Sequence, residues 1–235
     1  MKGAGAPFFF KALEMIKHVS FDVWNTLISA NPEFAAARTE MFADWAKTDP
    51  AIVKSEYTQL KHRSDSLAES AGIALPTHTL VRILLGSLMV GEPNDDQVRR
   101  GVVELNALFA DHPPMLPRQN IDLIAKLQSM GITVSIGGKS NFISGKVMNP
   151  WLNSQTSSAI AFGIYSDLIR AAKPSAAFFG HVIDGTRSAL QHPVAINEIL
   201  HVGDSARCDV WGAQQIGINA LLTDNPISTY NTVIE

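Results

Sequence analysis

HVSFDVWNTLIS, residues 18–29, is the stretch on which the fold turns. A short apolar run ends in one carboxylate, Asp22, followed at once by Val23, Trp24, Asn25 and Thr26. An ionised carboxylate at the end of a buried strand is costly unless it is paired, hydrogen-bonded or bound to a metal. Asp22 therefore reads in one of two ways. It is a helix-capping or turn acid, or it is a reactive group placed where strands deliver their chemistry.

Working outward, five short apolar segments look like strands: 17–21, 132–137, 159–165, 199–203 and 218–223. Helical stretches separate most of them. In IDLIAKLQSMG (121–131), Ile121, Leu123, Ile124, Leu127 and Met130 make one apolar face, and Gly131 supplies the stop. Near-continuous apolar strands alternating with helices predict an α/β fold, a Rossmann-like parallel sheet with helices on both faces. Residues 30–113 read differently: four helical patterns punctuated by TDP, ALPTH, GEPND and HPPMLP. They predict a separate helical domain inserted after the first strand, leaving 1–29 and 114–235 as the core.

Composition agrees with a globular chain. The 235 residues are 46% hydrophobic and 17% charged, enough for a large core and too apolar for disorder. The net charge of −3, with no basic run, argues against a nucleic-acid partner. The single Cys208 excludes an intramolecular disulfide framework and suits a reducing compartment. No apolar run approaches the roughly 18 residues of a membrane span. Lys11 and Glu14 interrupt the apolar patch near the start, which reads as a ragged terminus rather than a signal peptide. A cytoplasmic protein with no membrane partner is expected.

Ligands of open α/β sheets gather at the carboxyl ends of the strands. Asp22, the turn Gly137-Gly138-Lys139-Ser140 and Gly203-Asp204-Ser205 all fall there. Two strand-end aspartates, Asp22 and Asp204, form a hard oxygen site suited to Mg²⁺, with Asp209 five residues beyond the second. The alternative for Asp204 and Asp209 is capping and first-turn placement on a helix. Lys173 precedes Pro174, a residue suited to a first helical position; it is a solvated surface lysine or a cation facing an anionic nucleophile and phosphate.

The order and spacing of FDVWNTL (21–27), AKPSAAFF (172–179) and GDSARCD (203–209) resemble the nucleophile, lysine and metal motifs of the haloacid dehalogenase-like (HAD) hydrolase superfamily. The helical insertion lies where that family places a helical cap, so the resemblance spans nearly the whole chain. It implies a phosphohydrolase acting on a small phosphorylated metabolite. Asp22 would be the nucleophile that forms an aspartyl-phosphate, and Lys173 would aid orientation and charge stabilisation. Mg²⁺ would be held by Asp22, the backbone carbonyl of Trp24 and Asp204, with Asp209 completing the acidic site.

Two positions depart from the family pattern. Family phosphatases carry a second Asp two residues after the nucleophile, where this chain has Trp24. An indole N–H donates but cannot accept a proton, and loss of a general acid–base costs about 10²–10⁴-fold. Gly138 stands where Ser or Thr normally binds phosphate. Ser140 is a candidate substitute, and the backbone N–H groups of Gly138 and Lys139 could also cradle an anion. Asn25 replaces the usual Gly, a residue type that also tolerates left-handed backbone. Two other readings stay open: a HAD protein that binds a phosphorylated ligand or partner without turnover, and a metal-independent 2-haloacid dehalogenase. Dehalogenases carry a Tyr at the Trp24 position but lack the GD metal motif. The seven histidines show no metal-ligand spacing, Cys208 lacks a visible base, and Met41, Phe42 and Trp45 read as helix core.

Overall fold

The computed structural model describes residues 15–89, 91–157 and 159–234. The N-terminal stretch read above as a ragged terminus lies outside the described residues up to Met15. The chain opens with β1 (His18–Phe21), then four helices: α1 (Pro32–Ala46), α2 (Pro50–Ala71), α3 (Thr77–Leu88) and α4 (Asp95–Asp111). The remainder alternates: α5 (Arg118–Ser129), β2 (Thr133–Gly138), α6 (Gly145–Gln155), β3 (Ile160–Tyr165), a short α7 (Ser166–Ile169), α8 (Ala176–Leu190) and β4 (Ile199–Gly203). A π-helical turn (Ala206–Trp211) runs into α9 (Gly212–Gln214), before β5 (Asn219–Leu222) and α10 (Thr229–Ile234) close the chain.

Local chemistry sets these boundaries. Asn31 and Asp49 cap α1 and α2 through their side chains, each with Pro at the first helical position. Gly72 ends α2 at φ 69°, and Asn94 with Gln97 forms a reciprocal capping box on α4. Each such cap contributes about 1 kcal/mol. On α5 the buried face is Leu123, Ile124 and Leu127, whereas Met130 lies beyond the helix end and is exposed. Gly131 does make the stop, at φ 77°.

The five strands form one parallel sheet in the order β3-β2-β1-β4-β5, so the expected α/β core is present. β1 is central, registered with Phe21 against Ile136 of β2 and Val202 of β4. Its end, Asp22, donates its backbone N–H to Val202 O at 2.8 Å. The four inserted helices pack in chain order, and α4 returns onto α1. Where the chain leaves and re-enters the sheet layer, Ser29 and Met115 exchange two backbone hydrogen bonds of 3.0 Å.

The strands are less uniformly apolar than their sequences suggest. Along β1, Val19 and Phe21 enter the main apolar core, while His18 and Ser20, one residue out of phase, are equally buried. His18 Nδ1 bonds Thr133 Oγ1 and Nε2 bonds Ser135 Oγ, both at 2.7 Å, and its ring stacks on Phe162. Burial pushes the His18 imidazole down from 6.5 to about 3. The unfolded chain therefore binds this proton first as pH falls, so the contribution is complete above pH 6.5 and lost as pH drops toward 3. We expect wild-type unfolding free energy to fall below pH 6.5 by up to about 1.4 kcal/mol per pH unit from this group. Denaturant titrations at stepped pH should show that slope reduced by the same amount in His18→Gln.

Candidate active site

The turn after β1 begins with Asp22 and closes tightly. The N–H groups of Leu27 and Ile28 both donate to Val23 O, and Asn25 N–H donates to Ile28 O at 2.8 Å. Asn25 takes the left-handed conformation at φ 61°, the backbone state for which Asn substitutes for Gly. Thus the turn survives without a glycine, and its amide reaches across to donate to Asp204 Oδ2 at 3.2 Å.

Lys173 occupies the centre. It is 2% exposed, so the surface-lysine alternative does not hold. Its ammonium donates to Asp22 Oδ1 and, at 2.6 Å, to Asp209 Oδ1. Asp209 also accepts from Ser205 N–H at 3.0 Å and from His201 Nε2 at 3.1 Å, and His201 Nδ1 meets Ser20 Oγ at 3.2 Å. A chain Ser20–His201–Asp209–Lys173–Asp22 therefore runs from the strands to their ends.

The two acids on Lys173 differ sharply. For Asp209, burial works against ionisation, yet the charge of Lys173 and the His201 hydrogen bond hold its carboxyl well below the usual range. Asp22 is pushed up to about 7, chiefly by burial and further by the carboxylates of Asp209 and Asp204, against the pull of Lys173. On Lys173 itself burial acts downward, but Asp209 and Asp22 together raise it above its ordinary value. Asp209 is thus the permanent counter-ion, and Asp22 is the acid whose charge the site must still stabilise.

Asp209 reaches this position by a local device. The π-helical turn after β4 is capped by Ser205, whose Oγ accepts from Cys208 N–H at 3.0 Å and whose carbonyl accepts from Asp209 N–H at 2.9 Å. The Asp209 carboxylate then folds back over Gly203, filling the space a Cβ there would need. Asp22, Asp204 and Asp209 each offer a carboxylate oxygen within 4.8 Å of the others, a cluster that could hold a metal ion. The donor set is all oxygen, which fits a hard divalent cation. Since both oxygens of Asp209 already accept hydrogen bonds, Asp22 and half-buried Asp204 are the better direct ligands.

These groups line a cavity of about 540 Å³, together with half-buried Trp24, Arg38 and Tyr57 from the inserted helices, and Lys139. The Lys139 side chain is paired with Asp65 at 3.0 Å and Glu69 at 3.5 Å on α2. Gly138 and Ser140 do not line this cavity. A Cβ at Gly138 would meet Val23 Cγ2 at 2.8 Å and Tyr165 Cε1 at 3.4 Å, so neighbours already fill the place of a Ser or Thr side chain. Ser140 is buried, with its N–H bonded to Ser166 Oγ at 2.9 Å and its own hydroxyl unpaired. Cys208 borders the cavity, and burial pushes its thiol up, away from the reactive thiolate.

Sequence reading passed over His201, Ser20 and Arg38. The signal for the first two was phase: a polar residue inside a strand of four or five residues has to be buried and partnered. His201 lacks metal-ligand spacing because its role is to orient a carboxylate.

The haloacid dehalogenase-like hydrolase profile matches residues 16–217, and the chain belongs to that family. No curated protein matches the sequence. Among solved structures, YfnB from Bacillus subtilis, in a magnesium-bound form, is similar at TM-score 0.67 and 14% identity, over 93% of this chain and 98% of that one. A HAD phosphatase from Thermococcus onnurineus gives 0.62 at 18% identity, over 87% and 85% of the two chains. A 2-haloacid dehalogenase from Pseudomonas syringae pv. Tomato DC3000 gives 0.61 at 17%, over 93% and 98%. At these identities the likeness is one of fold. No helix among the described residues is long and apolar enough to cross a membrane.

The asymmetry between the two acids has a measurable consequence. Removing Lys173 leaves two buried carboxylates without their cation, so Lys173→Met should lower the unfolding free energy by about 3–5 kcal/mol. Asp22, raised from 3.8 to about 7, loses folded-state stability as pH rises through that window. In chelator at pH 8, Asp22→Asn should therefore be no less stable than wild type in the same denaturant titration.

Proposed function

We propose that this HAD-family hydrolase is a Mg²⁺-dependent phosphohydrolase for a small phosphorylated metabolite, acting in the cytoplasm. The reading is carried by one observation: a buried lysine holds a strand-end aspartate beside two further acids at the edge of a 540 Å³ cavity. Residues 30–113 would serve as the cap over the strand ends, since Asp65 and Glu69 of α2 reach Lys139 beyond β2.

Asp22 is the nucleophile. Lys173 occupies Oδ1, which leaves Oδ2 without a protein donor among the described residues. A carboxylate oxygen of Asp22 bonds to phosphorus as the phosphorus–oxygen bond to the leaving group breaks, and water later releases phosphate. Lys173 keeps the attacking carboxylate oriented and offsets charge gathered around it. Mg²⁺, held by Asp22, Asp204 and the Trp24 carbonyl with support from Asp209, would supply charge that favours ionised Asp22 and offsets the phosphate. Of the turn after β2 only Lys139 borders the cavity, so its backbone N–H, rather than Gly138 or Ser140, would be the donor offered to the substrate's phosphate. The site lacks one part. Trp24 offers no proton to the leaving oxygen and no base to the water, so both steps are slow and activated phosphates are the better substrates.

In a phosphate-release assay, activity should require Mg²⁺ and vanish in Asp22→Asn, because an amide is a poor nucleophile. Trp24→Asp should raise hydrolysis of phosphomonoesters with poor leaving groups, by up to about 10²-fold, the low end of acid–base effects. Wild-type turnover at ordinary phosphatase rates would refute the role given to Trp24. Metal-independent chloride release from 2-chloropropionate would replace the phosphohydrolase with the second reading, a dehalogenase, which an aromatic side chain at this position of the cavity favours. Mg²⁺ binding with no phosphate release from any activated phosphate would leave the non-catalytic reading.

A further inference from the structure

Arg38 projects from α1 into the cavity that holds Asp22 and Lys173. Its side chain is buried, only 9% exposed, with the guanidinium carbon 3.5 Å from the centroid of the Tyr57 ring and 5.8 Å from that of Phe34. The other cations of the cavity are neutralised. Lys61 pairs with Asp65, Lys139 with Asp65 and Glu69, and Lys173 with Asp22 and Asp209. Among the described residues Arg38 has no acidic partner, and its buried Nε has no hydrogen-bond acceptor. A buried cation and a buried donor left unpaired are both unfavourable, and proteins rarely retain either without a reason.

The guanidinium lies over the Tyr57 ring and beside its hydroxyl, and no carboxylate among the described residues meets its fork of N–H donors. That fork matches the two oxygens of a carboxylate or phosphate. We infer that Arg38 is the subsite for a second anionic group of the substrate, a carboxylate, and that the substrate is a short phosphorylated carboxylic acid. The inference rests on the phosphohydrolase reading for the other end of the ligand. One unpaired positive charge balances the single negative charge of a carboxylate, whereas a second phosphate would bring up to two negative charges into a cavity that also holds Asp65 and Glu69. Tyr57 and Phe142, their rings tilted 32° to each other with centroids 4.3 Å apart, furnish an apolar wall for the intervening carbon. The cavity volume lies within the ~300–1,000 Å³ range of small-ligand sites.

The test is equilibrium binding, which needs no turnover. Phosphonoacetate and ethylphosphonate differ chiefly in the carboxylate, and neither contains a phosphate ester. Calorimetry of the full chain with Mg²⁺ should show phosphonoacetate binding at least about tenfold more tightly, a preference that falls toward one in Arg38→Gln. Should that variant fail to fold, Arg38→Lys keeps the charge, loses the fork, and should lose most of the preference. Equal wild-type affinities, or a preference that survives Arg38→Gln, would overturn the subsite. Tighter binding of methylenediphosphonate than of phosphonoacetate would overturn its assignment to a carboxylate. Malonate separates this inference from the reading beneath it. Arg38-dependent malonate binding without binding of any phosphonate would keep the subsite and remove the phosphohydrolase, and failure of every carboxylate probe to bind would remove the subsite.

Discussion

The Lys173 ammonium, buried between Asp22 and Asp209, is the constraint around which the strand ends are built. A lysine only 2% exposed stays charged because two carboxylates meet it. Each acid imposes its own requirement on the chain. Asp209 needs the π-helical turn that returns it toward β4 and a residue without Cβ at 203, and His201 and Ser20 fix its orientation from inside the sheet. Asp22 needs β1 to end in register with Val202, followed by a turn that Asn25 can close at positive φ.

The same arrangement divides the labour of the acids. Asp209 is saturated by donors and remains ionised. Asp22 shares its one donor, Lys173, with a neighbouring acid and lies near Asp204, so burial and like charge hold it at the edge of ionisation. A group at that edge responds strongly to added positive charge, which is the property a nucleophile beside a metal site requires. Trp24 then limits the chemistry. It lines the cavity, and in the reaction proposed above its indole could lend no base to the proton transfers on either side of an acyl phosphate.

The parts legible in sequence were those fixed by local chemistry. The strand-like segments could be read because each is a short apolar run bounded by turns, and the four inserted helices because TDP, ALPTH, GEPND and HPPMLP punctuate their helical patterns; the structure adds the caps Asn31, Asp49 and Asn94 and the stop at Gly72. The proximity of Asp22, Lys173 and Asp204 could be inferred from strand ends and motif order. What stayed hidden depends on partners distant in the chain. Lys139 meets Asp65 and Glu69 on α2, Gly138 is bare because Val23 and Tyr165 fill its side-chain space, and His201 is explained by Asp209 and Ser20. Arg38 carries no motif or spacing that marks it in the sequence, and only the folded cavity shows that it has no acidic partner among the described residues.

The most direct test of the account is a search for the covalent intermediate itself. The protein, incubated with Mg²⁺ and acetyl phosphate and quenched in acid, would be weighed intact and then digested to locate any added phosphoryl group by mass spectrometry. Asp22 as nucleophile and Trp24 as a missing base together predict an adduct of one phosphoryl group on Asp22 that accumulates, is absent in Asp22→Asn, and decays faster in Trp24→Asp. A phosphoryl group on another residue, or phosphate release with no adduct at Asp22, would contradict it.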